Sequence, residues 1–238
     1  MIQKTKVLTL IVFGLLFLNL SAQEDSFSSD KSAKLPDDDR KFRFGLQFSP
    51  NISWLKTNRT GYKSDGSKVG FSYGLSFDYF ITKNYLFSTG LGVLNSGGRI
   101  IYKDDNALFT EVVEDFKLKY VEVPLLLKLR TNEIGYLTYF GQFGFMVGFN
   151  VGSSSTSEYN INEVSSGFVI TPTSELPSST PTNFMNLALS MGVGVEYNIS
   201  GNTALILGFT FNNGFVDQLK GDAIANLNYV ALNIGVCF

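Results

Sequence analysis

From Met185 to Ile199 the chain alternates without a break. Met185, Leu187, Leu189, Met191, Val193, Val195, Tyr197 and Ile199 are set against Asn186, Ala188, Ser190, Gly192, Gly194, Glu196 and Asn198. Successive side chains of an extended strand point to opposite faces, so a period of two predicts a β-strand with one apolar face and one small or polar face. Similar alternation recurs over Phe42–Trp54, Val69–Phe80, Tyr85 to about Ile101, Phe116–Arg130, Tyr136–Val151, about Thr203–Asn212 and Asn228–Phe238, which makes eight runs in all. None carries a helical period of useful length. Two prolines interrupt the pattern. Pro50 predicts a bend in the first run, and Pro124, which has no N–H to give a ladder, predicts a bulge in the fourth.

The connections alternate in length. Ile81–Asn84, Thr131–Gly135 and Ser200–Asn202 are tight turns, whereas Leu55–Lys68, Tyr102–Asp115, Gly152–Asn183 and Asn213–Ala225 are long. Short turns at one end and long loops at the other describe an up-and-down antiparallel meander. Two barrels fit it: a soluble one with its apolar face inward, and a membrane one with its apolar face outward.

The polar face decides between them. A soluble barrel needs that face to be rich in charge, yet only 17% of the residues are charged, against the usual quarter. The face instead reads Gly70, Ser72, Gly74, Ser76 in one run and Gly144, Gly148 in another. Such residues suit a narrow lumen filled by side chains, while the opposite face carries no charge at its central positions. The expectation is an all-β, eight-stranded antiparallel up-and-down transmembrane β-barrel over residues 42–238, its short turns periplasmic and its long loops outside. Tyr79, Tyr85, Tyr139, Tyr197 and Phe238 near the short turns, and Trp54 near the other end, fit interfacial girdles.

The first residues agree with export. Lys4 and Lys6, an apolar run from Val7 to Leu18, and Ser21-Ala22 follow the order of a secretory signal peptide over residues 1–22, cleaved before Gln23. The run is short for a membrane span. Residues 23–41 are polar and aperiodic, as in a disordered periplasmic leader. The expected location is the outer membrane of the cell.

Several chemistries are excluded or disfavoured. The chain has no His and a single cysteine, Cys237; an internal disulfide is impossible, and a His- or Cys-based metal site is disfavoured. The usual general base of small hydrolases is missing too. The expectation is no enzyme activity, no cofactor and no metal. A net charge of −2 offers no footprint for nucleic acid. Lys103–Asn106 lacks the full pattern of a Ca²⁺ loop, and the Ser/Thr-rich Gly152–Asn183 reads as either a solvated loop or a partner-binding one.

By parity, six charged residues point into the lumen: Arg43, Asp78, Glu122, Lys128, Arg130 and Glu196. Ions in a narrow interior have to pair. They form either a structural ion network that plugs the barrel or a gate or proton path, with Glu122 and Lys128 expected to clamp each other. Gln47, Tyr120, Gln142 and Met146 add bulk, so no continuous water path is expected.

The segment "KYVEVPLLLKLR" followed by "LTYFGQFGFMVG" resembles the PorT-like outer-membrane β-barrel family of Bacteroidota. Glu122, Pro124, Leu125, Leu126 and Lys128 match its Glu-apolar-Pro-Leu-Leu-apolar-Lys segment, and the likeness in pattern extends from about Phe42 to Phe238. The resemblance implies the same membrane-barrel fold. One branch of that family includes an accessory protein of type IX secretion and gliding. Three functions follow as expectations: a scaffold or interaction protein working through long outer loops, an accessory component of that secretion machinery, or a small passive pore. The expected partners are outer-membrane lipid and other envelope proteins, with the barrel monomeric.

Overall fold

The computed structural model describes residues 41–57, 61–102, 111–160, 176–178, 182–200, 203–219 and 225–238. The expected signal peptide, nearly all of the leader, Lys103–Asn106 and residues 161–175 lie outside the described residues. Every regular element described is a strand: β1 Phe42–Thr57, β2 Tyr62–Thr82, β3 Tyr85–Tyr102, β4 Glu111–Arg130, β5 Leu137–Asn160, β6 Leu176–Ser178, β7 Met185–Ser200, β8 Thr203–Asp217 and β9 Ala225–Cys237.

Each long strand pairs antiparallel with its neighbour in the chain, β5 with β7, and β9 returns to β1. The result is a closed eight-stranded ring, with the short β6 added to the outer part of β5 at Ser155–Ser157. Closure continues to the final residue, where Phe44 and Phe238 exchange backbone hydrogen bonds of 3.1 and 2.9 Å. A ring has no free edge, so its backbone groups are satisfied without water.

The alternation maps onto the two surfaces of the ring as expected. Val193 is 64% exposed and Phe209 59%, whereas Ser190 and Asn186 are fully buried. The outward apolar residues run from Phe42 to Ile52 on β1, from Val69 to Tyr79 on β2 and from Met185 to Tyr197 on β7. Each run approximates the 9–11 residues that a tilted strand needs to cross a bilayer.

Two expectations need correcting. The strands continue well into the stretches read as loops: β1 reaches Thr57, β2 begins at Tyr62, β4 begins at Glu111 and β5 runs to Asn160. Beyond the apolar belt both strand faces can be polar, so the ladder persists after the period-two signal has faded. The excess is one-sided. Strands β2 to β5 have 18–24 residues, whereas β7, β8, β9 and β1 have 13–16.

Neither proline bulges the sheet. Pro50 keeps register with Phe71 and Pro124 with Met146. Each sits where pairing to the other neighbour lapses without a shift, between Phe48↔Ile234 and Asn51↔Ala231 for Pro50, and between Thr89↔Leu125 and Gly92↔Glu122 for Pro124. A missing N–H locally weakens a ladder without adding a residue to it. The irregularity near Pro124 lies instead at Val151, which stands between the partners of Tyr120 and Lys119.

Candidate functional site

The inward face of the ring is layered from one end to the other. At the short-turn end, five charged side chains from four strands converge. Arg43 on β1 and Asp78 on β2 are cross-strand partners, Lys128 and Arg130 stand two apart at the end of β4, and Glu196 comes from β7. Arg43 donates to Asp78 at 2.7 Å and to both oxygens of Glu196 at 2.8 Å. Lys128 lies 2.8 Å from Glu196 and 3.5 Å from Asp78, and Arg130 lies 2.8 Å from Glu196. Ser88 donates to the second oxygen of Asp78.

Aromatic rings complete the knot. Phe80 lies under both Arg43 and Arg130 at 5.7 and 5.6 Å, and Lys128 sits 4.3 Å from the centre of Phe140. The Phe140 ring occupies the space where a Cβ on Gly194 would stand, its Cζ 2.5 Å from that position. That glycine is spent on packing an aromatic ring. Both Phe80 and Phe140 fall on the inward parity of their strands, yet Tyr120 is the one aromatic that sequence reading places in the lumen.

Glu122 is not part of this knot. It accepts hydrogen bonds from the Tyr229 hydroxyl at 3.0 and 3.2 Å, and the expected clamp with Lys128 does not form. Six residues along an extended strand cover about 20 Å, further than the two side chains can bridge. Parity put both in the lumen; the rise per residue put them on different levels.

Between those levels lies a cavity of about 120 Å³ whose polar lining, including Gln47, Ser49, Ser190, Thr210, Asn212 and Asn233, is interleaved with apolar side chains such as Leu126, Phe140, Met146 and Ile206. Gln47 and Ser49 both donate to Asn233 at 2.9 Å, and Asn233 donates to Thr210. Removing the donor to Glu122 should cost stability. Tyr229→Phe is expected to lower the unfolding free energy by about 1–3 kcal/mol, the range for stranding a buried acceptor, measured as a shift in urea midpoint. An unchanged midpoint would show that Glu122 finds another donor.

The third layer, towards the other end, gathers most of the buried apolar side chains, beside buried Glu114 and Asn186. Leu55, Leu94, Ile100, Phe116, Leu118, Tyr120, Leu219, Ala225, Leu227, Tyr229 and Ala231 form one buried cluster, with Tyr62 packed against it. Gln218 and Leu219, directly after β8, belong to the same layer. Fully buried Gln218 accepts from the Tyr120 hydroxyl and donates to Asn186 at 2.9 Å, and its backbone N–H donates to Ala225 O at 2.7 Å. Sequence reading placed Gln218 and Leu219 in a long outer loop. An uncharged Gln-Leu pair between Asp217 and Lys220 is too weak a signal to show that the segment turns inward.

Outside the ring, Asp115 on β4 joins Lys68 and Arg99, each at 3.2 Å. Burial alone would raise the Asp115 carboxyl, but the hydrogen bonds from Arg99 and Lys68 outweigh it and hold the group below its ordinary value. Its small contribution to stability is therefore present above the ordinary Asp range near pH 3.9 and lost as the pH falls through the lowered value.

Residues 21–220 match the family model described as outer membrane protein beta-barrel domain. The chain belongs to that family. It is an outer-membrane β-barrel; in such barrels the short turns usually face the periplasm, and the short-turn end here also holds Phe42 and Phe238. No curated protein matches the chain in sequence. Among solved structures, the barrel is similar to Neisserial surface protein A, with 16% identity over 82% of this chain and 95% of that one and a TM-score of 0.44. It is similar to Ail, the attachment invasion locus protein of Yersinia pestis, with 17% identity over 84% and 100% of the two chains and a TM-score of 0.41. The outer membrane protease OmpT of Escherichia coli is similar at 8% identity over 87% and 99%, with a TM-score of 0.37. Similarity at this level speaks to neither function nor ligand.

Proposed function

We propose that this chain is a non-catalytic outer-membrane barrel acting as a scaffold or interaction protein through its outer end, as a single barrel in contact with outer-membrane lipid and other envelope proteins. One observation carries the reading: among the described residues the lumen is filled at two levels by buried side chains that hold one another, the ion knot at the short-turn end and the apolar cluster with Gln218 towards the other. A pore needs sites that release what enters them, and neither layer is of that kind. What the barrel presents to its surroundings is its wall and rim.

The wild-type protein in a planar bilayer at neutral pH is expected to give no stable conductance. Reproducible single-channel steps abolished by changing Arg43 or Glu196 would overturn the reading in favour of a pore. Affinity recovery of the crosslinked protein from native membranes separates the remaining possibilities. Envelope partners held through the outer end support the scaffold role. Recovery of secretion-machinery subunits would favour the accessory role and the finer PorT-like assignment, which rest on the segment from Glu122 to Lys128. Export through a cleaved signal peptide is part of the same proposal; a mature N-terminus at Gln23 is its expected sign.

A further inference from the structure

On the outer wall, the β2–β3 ladder shifts register between Ser67 and Phe71. Ser53 of β1 takes up the backbone groups at the break: its hydroxyl donates to Gly97 O at 2.8 Å and accepts from Gly97 N–H at 2.9 Å. The break opens onto a cleft of about 640 Å³ whose lining includes Lys68, Phe71, Asn95, Lys117, Lys119 and Gly152. Asn95 pairs with both Phe71 and Lys119, so these three form one cross-strand row. Below that row the wall is apolar; at it and above it, three ammonium groups surround the cleft.

The charge there is only partly spent. Lys68 and Arg99 share Asp115, and Asp65 lies in the register gap facing Arg99. Among the described residues, Lys117 and Lys119 are exposed and have no ion-pair partner. They stand two apart on one face, about 7 Å along β4, and β2 lies two strand spacings away, about 10 Å. A triangle of that size fits around one phosphate group. Lysine stems lie along apolar surface while their heads reach for the headgroup level, and basic clusters at that level attract anionic lipid.

We infer that this cleft seats the phosphate headgroup of an outer-leaflet lipid between Lys68, Lys117 and Lys119, with an acyl chain running down past Phe71 and Val69. Val69 is 84% exposed and directly beside Lys68. A free anion would make no use of that apolar lower lip, which is why a lipid fits the site better than a soluble phosphate. The inference rests on the outer-membrane placement and not on the interaction role, so a failed partner recovery leaves it standing.

Native mass spectrometry of the full-length protein released from detergent micelles tests it, with diphosphorylated lipid A, its dephosphorylated counterpart and phosphatidylcholine as probes. The expected result is a one-to-one adduct with the phosphorylated lipid alone. It should weaken roughly fivefold for each of Lys68→Gln, Lys117→Gln and Lys119→Gln, while Lys56→Gln and Lys63→Gln, each the same single-charge change at a residue outside the cleft lining, leave it intact. A mobility difference between unheated and heated samples on a gel checks that each variant is folded; should Lys68→Gln, which breaks the ion pair with Asp115, fail that check, Lys119→Gln, at an exposed site, carries the test. Equal binding of the dephosphorylated lipid, undiminished binding by the lysine variants, or displacement of the lipid by millimolar inorganic phosphate would each overturn the proposal.

Discussion

Glu196→Gln is expected to be among the most damaging single substitutions in the barrel, costing roughly 3–5 kcal/mol. The carboxylate accepts from Arg43, Lys128 and Arg130 together. Without its charge, three cations face Asp78 alone in a layer with little access to water. Gln keeps the shape, so the loss reports charge and not volume. Reversible urea unfolding in phospholipid vesicles, followed by the fluorescence of the sole tryptophan, Trp54, gives the measurement. Removing one cation at the same time should restore part of the loss, because the excess positive charge is what Glu196→Gln creates. Glu196→Gln with Lys128→Met is therefore expected to be more stable than the sum of the two single changes. Strict additivity would mean that the knot is not one coupled unit.

The second large effect belongs to the opposite face. Leu189→Arg or Val193→Arg places a charge well inside the apolar belt and is expected to cost about 2–4 kcal/mol, whereas Tyr197→Arg near the periplasmic rim should cost about 1 kcal/mol or less. Val193 is a demanding position. Its cross-strand partners are Gly141 and Phe209, and the space beside Gly141 is open. An arginine there finds no acidic neighbour on either side. Equal tolerance at all three positions, with normal folding, would mean that this face does not meet lipid.

How far the sequence foretells this molecule depends on where a residue lies along the barrel axis. Across the apolar belt one face must be greasy and the other compact, so Met185–Ile199 alone predicts a strand and its two faces. Parity then places Arg43, Asp78, Lys128, Arg130 and Glu196 in the lumen, and because all lie near short turns, their meeting is foreseeable. Glu122 shares that parity but not that level; parity says which way a side chain points and nothing about its height. Towards the outer end the legibility fades for another reason. Both faces of "YKSDGSK" and "SSSTSEYN" are polar, so the strands of the tall wall leave no alternation to read. The apolar cluster is hidden for the converse reason: Leu94, Ile100 and Phe116 point inward, among apolar neighbours such as Val93, Ile101 and Val121, and the contrast between faces is lost. Gln218 lies just past the end of β8, where no local pattern signals a buried position.

The unequal strand lengths give the barrel a front and a back. Over β2 to β5 the wall continues past the apolar belt, carrying Arg99, Lys117, Lys119 and Ser154 on its outer surface; over β7, β8, β9 and β1 the described strands stop closer to the belt. Rotation about the membrane normal therefore changes what a neighbour sees. Surface labelling of intact cells, counted over the described residues, would trace a crescent and not a ring. Anything that grips the described wall from above the bilayer would hold the barrel from one side, at a fixed compass bearing, even though the ring beneath is closed all the way round.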